Sequence, residues 1–343
     1  LRAKGAAVVR ISARDFPAFL RASTWLDSER PARMKVARGN TVVDFGEVDT
    51  VWFRRLRAVT LDAKLETAGE AFARDETLAY LYSVGAMLED RFCVNPLISS
   101  VTNSRGRGKI RQLERARKVG MSIPRSLATN EPREAQEFVR SCKLGAIYKV
   151  MGGAPPWMGE PNHVAPTGIY TTKLDASAFE DPEQRDRVRY APCLFQELVP
   201  KRLDVRATVI GSRVFSTEIH SQVHAQAAVD FRRGFELKDM PYAIHAMPRE
   251  LEEKCVRLNR DLGIVFGAYD FVLTPDGRYV FLEVNEQGQF LWLEQITGQP
   301  LLENLCELLI QRRPDFVCDA PVHEPGPLPP APPTDEYDVF ESE

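Results

Sequence analysis

The chain lacks paired-cysteine spacing, a membrane-length apolar run, and any nucleophilic or nucleic-acid-binding motif. Its six cysteines (Cys93, Cys142, Cys193, Cys255, Cys306, Cys318) are scattered with no C-x-x-C. That argues against a zinc site or a disulfide framework and for reduced thiols in a cytoplasm. No stretch approaches the roughly 20 apolar residues of a span, so no membrane partner is expected, and no signal-peptide pattern opens the sequence. There are five histidines; His220 and His224 stand four apart without Cys or Glu support and read as ordinary side chains. No Ser-His-Asp or Cys-His set is evident. Gly106-Arg107-Gly108-Lys109 invites a phosphate-loop reading, but the G-x-x-x-x-G-K-[ST] pattern is missing.

What is there is ordinary in bulk and uneven in charge. The 343 residues fit two or three domains, and 44% hydrophobic with 27% charged content suits a globular protein. From Pro314 onward there are eight acidic residues and no Lys or Arg, so the net charge of −3 leaves +5 on the preceding part. A mildly basic body suits anionic ligands, a nucleotide or an acidic peptide, better than a DNA duplex. The Pro-rich acidic tail, 314–343, is expected to be disordered. The sequence opens on Leu1, and a parallel α/β unit would want a strand before it.

Along the chain, Leu1–Gly5 reads as a helix end, 6–11 as a strand and 16–21 as a short helix. Strands are expected at 42–45 and 50–53, the second running into Arg54-Arg55, and an amphipathic helix at 66–91. That basic pair is either a ligand-facing strand end or a salt-bridged one. A basic helix spans 103–119. Strands follow at 125–128 and 145–150, the latter bearing Lys149, with a helix between them at 132–141. A lysine inside a hydrophobic strand either reaches an anion or snorkels at the strand end. The Gly- and Pro-rich stretch 151–168 reads as a functional loop. Strands at 194–199, 204–211 and 214–220, a helix at 248–262 and a last helix at 300–313 complete the reading.

The stretch 268–294 carries the chemistry. Two β-type runs flank Thr274-Pro275-Asp276-Gly277, which is turn chemistry. The hairpin brings Asp270 to Glu283 and Asn285, and those two, two residues apart, share a face. Two carboxylates and an amide oxygen suit Mg²⁺. Taken alone, the hairpin reads sooner as a solvent-facing one.

The order of these pieces resembles the ATP-grasp ligases: a lysine on a helix, a lysine on a strand, Gln-Glu-Leu-Val, Asp-x-Arg, then Asp…Glu-x-Asn. Within that superfamily it looks like the microviridin-type (graspetide) peptide maturases, on VWFRR (51–55), YTTKL (170–174), PCLFQELVPK (192–201), DFRR (230–233) and FLEVNEQGQFLWLE (281–294). The resemblance spans about residues 5–313. It implies an α/β fold, α+β in its C-terminal half: an N-terminal pre-ATP-grasp domain at 1–100, a central subdomain at 101–198 and a C-terminal one at 199–313. ATP would lie between the last two. It further implies Lys109 and Lys149 on the nucleotide phosphates, Glu197, Leu198 and Val199 around adenine, and Asp204 on the ribose. Asp270, Glu283 and Asn285 would be the Mg²⁺ ligands, with Arg206 and Arg232 steadying the acyl-phosphate and the leaving phosphate. Two positions depart from the family pattern: Glu286 replaces the usual Pro and Phe290 the usual Trp.

The implied activity is phosphorylation of Asp/Glu side chains of a precursor peptide, then ester formation with Thr or Ser or amide formation with Lys. A ligase adding glutamate or another free amino acid is the alternative. The implied cofactors are ATP and Mg²⁺, and the family's common homodimer is an expectation by analogy.

Overall fold

The computed structural model describes residues 1–54, 59–65, 67–97, 108–151, 171–174, 176–234 and 239–323. The first part opens with a 3-10 turn ending at Gly5, as the sequence suggests. An antiparallel meander follows, β1 (Arg21–Trp25), β2 (Arg33–Arg38) and β3 (Thr41–Asp44). Then β4 (Thr50–Trp52) and β5 (Phe92–Val94) pair in parallel across the helix α1 (Thr67–Met87), a connection that parallel strands require.

Two expectations fail in this part. Residues 6–11 form no strand; Val9 and Ile11 are 53% and 39% exposed, with no sheet face to cover them. Residues 16–21 form no helix. Pro17 has no amide to donate, and its neighbours bond instead to a distant segment: Thr60 N–H to the Phe16 carbonyl, and Ala18 N–H to the Thr60 carbonyl. The chain then enters β1, a strand whose polar sequence Arg-Ala-Ser-Thr-Trp alternates exposed and half-buried residues.

The middle part holds α2 (Lys109–Lys118), β6 (Ser126–Thr129), α3 (Pro132–Ser141), β7 (Ala146–Lys149), β8 (Thr172–Lys173), α4 (Pro182–Asp186) and β9 (Cys193–Glu197). Its sheet runs β6-β9-β7-β8, antiparallel throughout. Pro132 opens α3, where a missing amide costs nothing, and Ala135 and Val139 pack on Phe195 and Ala146. The expected loop at 151–168 lies almost wholly outside the described residues, as do Tyr170 and the opening of the basic helix at 103–107.

The last part is a five-stranded antiparallel sheet, order β12-β11-β10-β13-β14. Its members are β10 (Leu203–Ile210), β11 (Arg213–Ile219), β12 (Tyr242–Ile244), β13 (Phe266–Leu273) and β14 (Tyr279–Asn285), with α5 (Arg249–Leu262) between β12 and β13. One face packs on α2 and α5 as the largest core, which includes Val205, Ala207, Tyr269, Phe271, Phe281 and Leu258. Helices α6 (Leu291–Thr297) and α7 (Leu301–Gln311) build a second core with Phe266, Phe290 and Ile210.

The tail departs from expectation over its first ten residues. Residues 314–323 pack as a strap, burying Phe316 and Cys318 to 3% and 8%. Two glycines in left-handed conformation let it pass: a Cβ on Gly211 would strike the Pro314 carbonyl oxygen, and one on Gly298 the His323 carbonyl. Backbone bonds seal both crossings, Ser212 N–H to Pro314 O (2.8 Å) and His323 N–H to Gly298 O (2.7 Å). Residues 324–343 lie outside the described set.

Candidate active site

Strand alternation builds the floor. Along β10, Val205, Ala207 and Val209 face the core, which turns Asp204 and Arg206 to the opposite face. Along β13, Tyr269 and Phe271 face the core, so Asp270 and Val272 face the cleft, which both line. Register sets Arg206 opposite Asp270, and Asp270 opposite Glu283.

On β14 simple alternation would fail. Phe281 is core, and Glu283, two residues on, would share its face. A bulge between the Asp270 and Phe271 pairings inserts Leu282 as an unpaired residue, because Asp270 pairs with Glu283 but Phe271 with Phe281. Leu282 and Glu283 therefore both line the cleft, while Phe281 and Val284 both reach the core. Bulges re-aim side chains in this way beside active sites.

The roof is the middle sheet. Lys149 ends β7 only 8% exposed and points into the same cleft. Lys109, the first residue of α2, donates to the Val150 carbonyl at 2.9 Å and pairs with Glu283 at 3.1 Å. Glu197, Leu198 and Val199 leave β9 along one wall. The Glu197 and Leu198 amides are taken by the Arg125 and Gly145 carbonyls. Floor and roof face each other across one open cleft.

Nine of the eleven predicted residues line this cleft: Lys109, Lys149, Glu197, Leu198, Val199, Asp204, Arg232, Asp270 and Glu283. Arg206 is not on its wall but donates from Nη1 to Asp270 Oδ1 at 2.7 Å. Asn285 is exposed at the end of β14, opposite Ala268, and its Oδ1 accepts the Gln287 amide at 3.0 Å. Arg54 lies over the Trp52 ring, 5.8 Å from its centroid; Arg55 and residues 105–107 lie outside the described set.

The cleft's charges are strongly coupled. Burial would raise the Glu283 carboxyl, yet Lys109, Lys149 and Arg232 hold it at about 2. Asp270 moves the other way: burial lifts it, and the neighbouring Glu283 charge adds to the lift against Arg206. Burial pulls the Lys149 ammonium down, Lys109 adds to that, and Glu283, Asp270 and Asp230 oppose it. Buried Lys149, the partly exposed Lys109 and Arg232, and two facing carboxylates thus make an environment poised for polyanions.

Several participants escaped the sequence reading. Asp230 lines the cleft, accepts the Thr171 amide at 3.0 Å and holds Arg232 bidentately at 2.8 and 2.5 Å. Lys201, only 8% exposed at its side chain, pairs with Asp204 at 2.9 Å, and Ser221 donates to the same carboxylate at 2.5 Å. Both lie inside the quoted stretches DFRR and PCLFQELVPK, where an acid two residues before an arginine was the available signal for Asp230. Of the two departures from the pattern, Phe290 is packed edge-on against Phe266 (5.6 Å). Glu286 is 2% exposed, and its carbonyl accepts from Asn95 at 2.9 Å.

The donor set fits magnesium. Asp270 and Glu283 face each other across one strand pair, and Asn285 shares the Glu283 face. No three His, Cys, Asp or Glu among the described residues are placed to hold a metal by themselves. Two carboxylates and an amide leave room for the waters and phosphate oxygens Mg²⁺ keeps.

Comparison with known proteins bears on the fold. Residues 1–100 match the MvdD pre-ATP grasp domain. A RiPP-associated ATP-grasp ligase from Chryseobacterium gregarium, solved with ADP and a leader and core peptide, superposes with a TM-score of 0.80 at 24% identity. That match covers 92% of this chain and 92% of that one. Macrocyclase MdnC from Microcystis aeruginosa MRC, bound with precursor peptide MdnA, superposes at 0.75 with 24% identity over 90% and 93%. Macrocyclase MdnB from the same organism superposes at 0.72 with 25% identity over 90% and 92%. A search of curated proteins finds no match. The chain has the ATP-grasp ligase fold, and its first hundred residues carry a pre-ATP-grasp domain of the MvdD type.

Proposed function

We propose that this protein is an ATP-dependent carboxylate ligase that closes rings in a ribosomally made precursor peptide. The observation that carries the reading is the single cleft in which Lys109, Lys149 and Arg232 converge on the facing pair Asp270 and Glu283. Such a site positions and neutralises phosphates, which is most of what phosphoryl transfer asks of a protein. ATP is bound between the parts at 101–198 and 199–313, with 1–100 as the pre-ATP-grasp domain. Lys109 and Lys149 hold its phosphates, the 197–199 segment borders the base, and Asp204 takes the ribose hydroxyls.

Asp270, Glu283 and Asn285 would hold Mg²⁺, which would offset phosphate charge during the transfer. A peptide carboxylate oxygen attacks the γ-phosphorus, and ADP leaves. A Thr or Ser hydroxyl, or a Lys amine, then attacks the acyl carbon, losing its proton as phosphate departs. Arg206 and Arg232 offset the charge on the phosphates that form and leave. The cytoplasm is the compartment that suits six unpaired cysteines. No described helix is long and apolar enough to cross a membrane. A homodimer is proposed by analogy alone.

The test is incubation with ATP, Mg²⁺ and an acidic peptide bearing Thr and Lys, followed by mass spectrometry. Loss of water from the peptide together with ADP release is the expected result. A mass gain would indicate amino-acid ligation, and peptide-independent ADP release would count against the reading.

A further inference from the structure

Strand β14 is the outer strand of its sheet among the described residues, so the backbone groups on its free side have no described strand to pair with. At Val284 they are satisfied by one side chain. Gln112 Nε2 donates to the Val284 carbonyl at 2.9 Å, and the Val284 amide donates to Gln112 Oε1 at 3.1 Å. Lower down, the Phe281 amide donates to the Ser122 carbonyl at 2.8 Å. Gln112 is 2% exposed and sits in α2 three residues after Lys109.

The location matters more than the bond count. The Val284 amide belongs to the peptide unit joining it to Glu283, and its carbonyl to the unit joining it to Asn285. One side-chain amide therefore fixes both peptide planes flanking Val284, and with them the Cα–Cβ directions of Glu283 and Asn285. The same helix delivers Lys109 to Glu283 at 3.1 Å. Asn95 braces the next step, donating to the Glu286 carbonyl at 2.9 Å and to the Phe266 carbonyl at 2.8 Å.

We propose that Gln112 is a positioning residue for the metal end of the site, locking the oxygens of Glu283 and Asn285 in register with the Lys109 helix. This rests on reading Asp270, Glu283 and Asn285 as magnesium ligands. Groups that orient ligands without touching the metal typically change its affinity by about 10- to 100-fold when removed.

The experiment uses the full chain, Mn²⁺ as a paramagnetic stand-in for Mg²⁺, and ADP. Mn²⁺ uptake at saturating ADP is followed by electron paramagnetic resonance, metal-free ADP binding by calorimetry, and folding by thermal melting. Gln112→Met keeps length and burial but loses both bonds; Gln112→Glu keeps the acceptor for the Val284 amide and sets a carboxylate oxygen against its carbonyl. We expect Mn²⁺ affinity to fall about 10-fold or more in both, with metal-free ADP affinity within about twofold of the parent. If Gln112→Met does not fold, Gln112→Glu decides. A folded variant with parental Mn²⁺ affinity, while the parent binds Mn²⁺ and ADP, overturns the role of Gln112 alone. A parent that takes up no Mn²⁺ with ADP overturns the ligand reading and this inference with it.

Discussion

Arg206 and Asp270 stand directly opposite each other on β10 and β13, joined at 2.7 Å, with side chains only 9% and 13% exposed. The guanidinium offsets a carboxylate that would otherwise face Glu283 unaided. Removing one member of a buried pair strands the other, at about 3–5 kcal/mol. Arg206→Met should therefore lower unfolding free energy by roughly that amount in denaturant titration. Asp270→Asn should cost less than Arg206→Met, since it also relieves repulsion with Glu283; the reverse order would contradict the pairing.

Leu282 is the bulge residue that turns Glu283 into the cleft. Leu282→Ala should cost about 1–2 kcal/mol, for partial loss of a half-buried side chain. Inserting one residue between Asp270 and Phe271, which gives Leu282 a pairing partner, should cost several times more, because regular pairing would then turn the Glu283 carboxylate to the Phe281 face and the core. Equal losses in a urea titration would count against the bulge as the device that aims Glu283.

Gly288 has no room for a side chain: a Cβ there would lie 2.4 Å from Ala268 Cβ and 2.9 Å from Arg206 Nη2. Gly288→Ala should destabilise by about 1–3 kcal/mol and slow ATP-dependent peptide modification by displacing Arg206. Ala268→Gly on top of it should restore part of the stability. Simple additivity of the two changes would mean that they do not share this contact.

Glu218 lies away from the cleft, where its two oxygens meet His220 at 2.9 Å and His245 at 3.0 Å, and His245 meets the Tyr279 hydroxyl at 2.7 Å. Burial would raise its carboxyl, but the two imidazoles outweigh that and hold it below the ordinary 4.5. A depressed carboxylate stabilises the fold above its unfolded pKa, and that stability is lost as pH falls through the folded one. The stability gap between the parent and Glu218→Gln should be present at pH values just above 4.5 and shrink as the pH falls below it. Urea titrations at several pH values measure it; a gap independent of pH would contradict the assignment.

Most of the fold was legible where a strand alternates cleanly. In β10 and β13 apolar residues mark the core face, so Asp204, Arg206 and Asp270 follow by parity. Glu283 was legible from the hairpin and from the family resemblance, while the bulge that makes its orientation possible was not: nothing distinguishes Leu282 from a regular strand residue in Tyr-Val-Phe-Leu-Glu-Val-Asn. Strands β1 and β2 were missed because their polar faces leave no hydrophobic run. The strap at 314–323 was hidden by Pro-rich acidic composition, although Phe316 and Cys318 already alternate toward a core. Lys201 and Asp230 were left without a role, although each has its partner, Asp204 or Arg232, three or two residues further along the chain; what the sequence hides is that both pairs face the cleft.

In the proposed function, the facing carboxylates at the β13–β14 end serve ATP-dependent closure of a peptide ring. Its most direct test measures ADP release and peptide mass together, for the parent and for Glu283→Gln combined with Asn285→Ala. The parent should release ADP in step with loss of water from the peptide. The variant should melt as a folded protein and lose both activities by about 100-fold or more. A folded variant that still dehydrates the peptide at the parental rate would contradict the account.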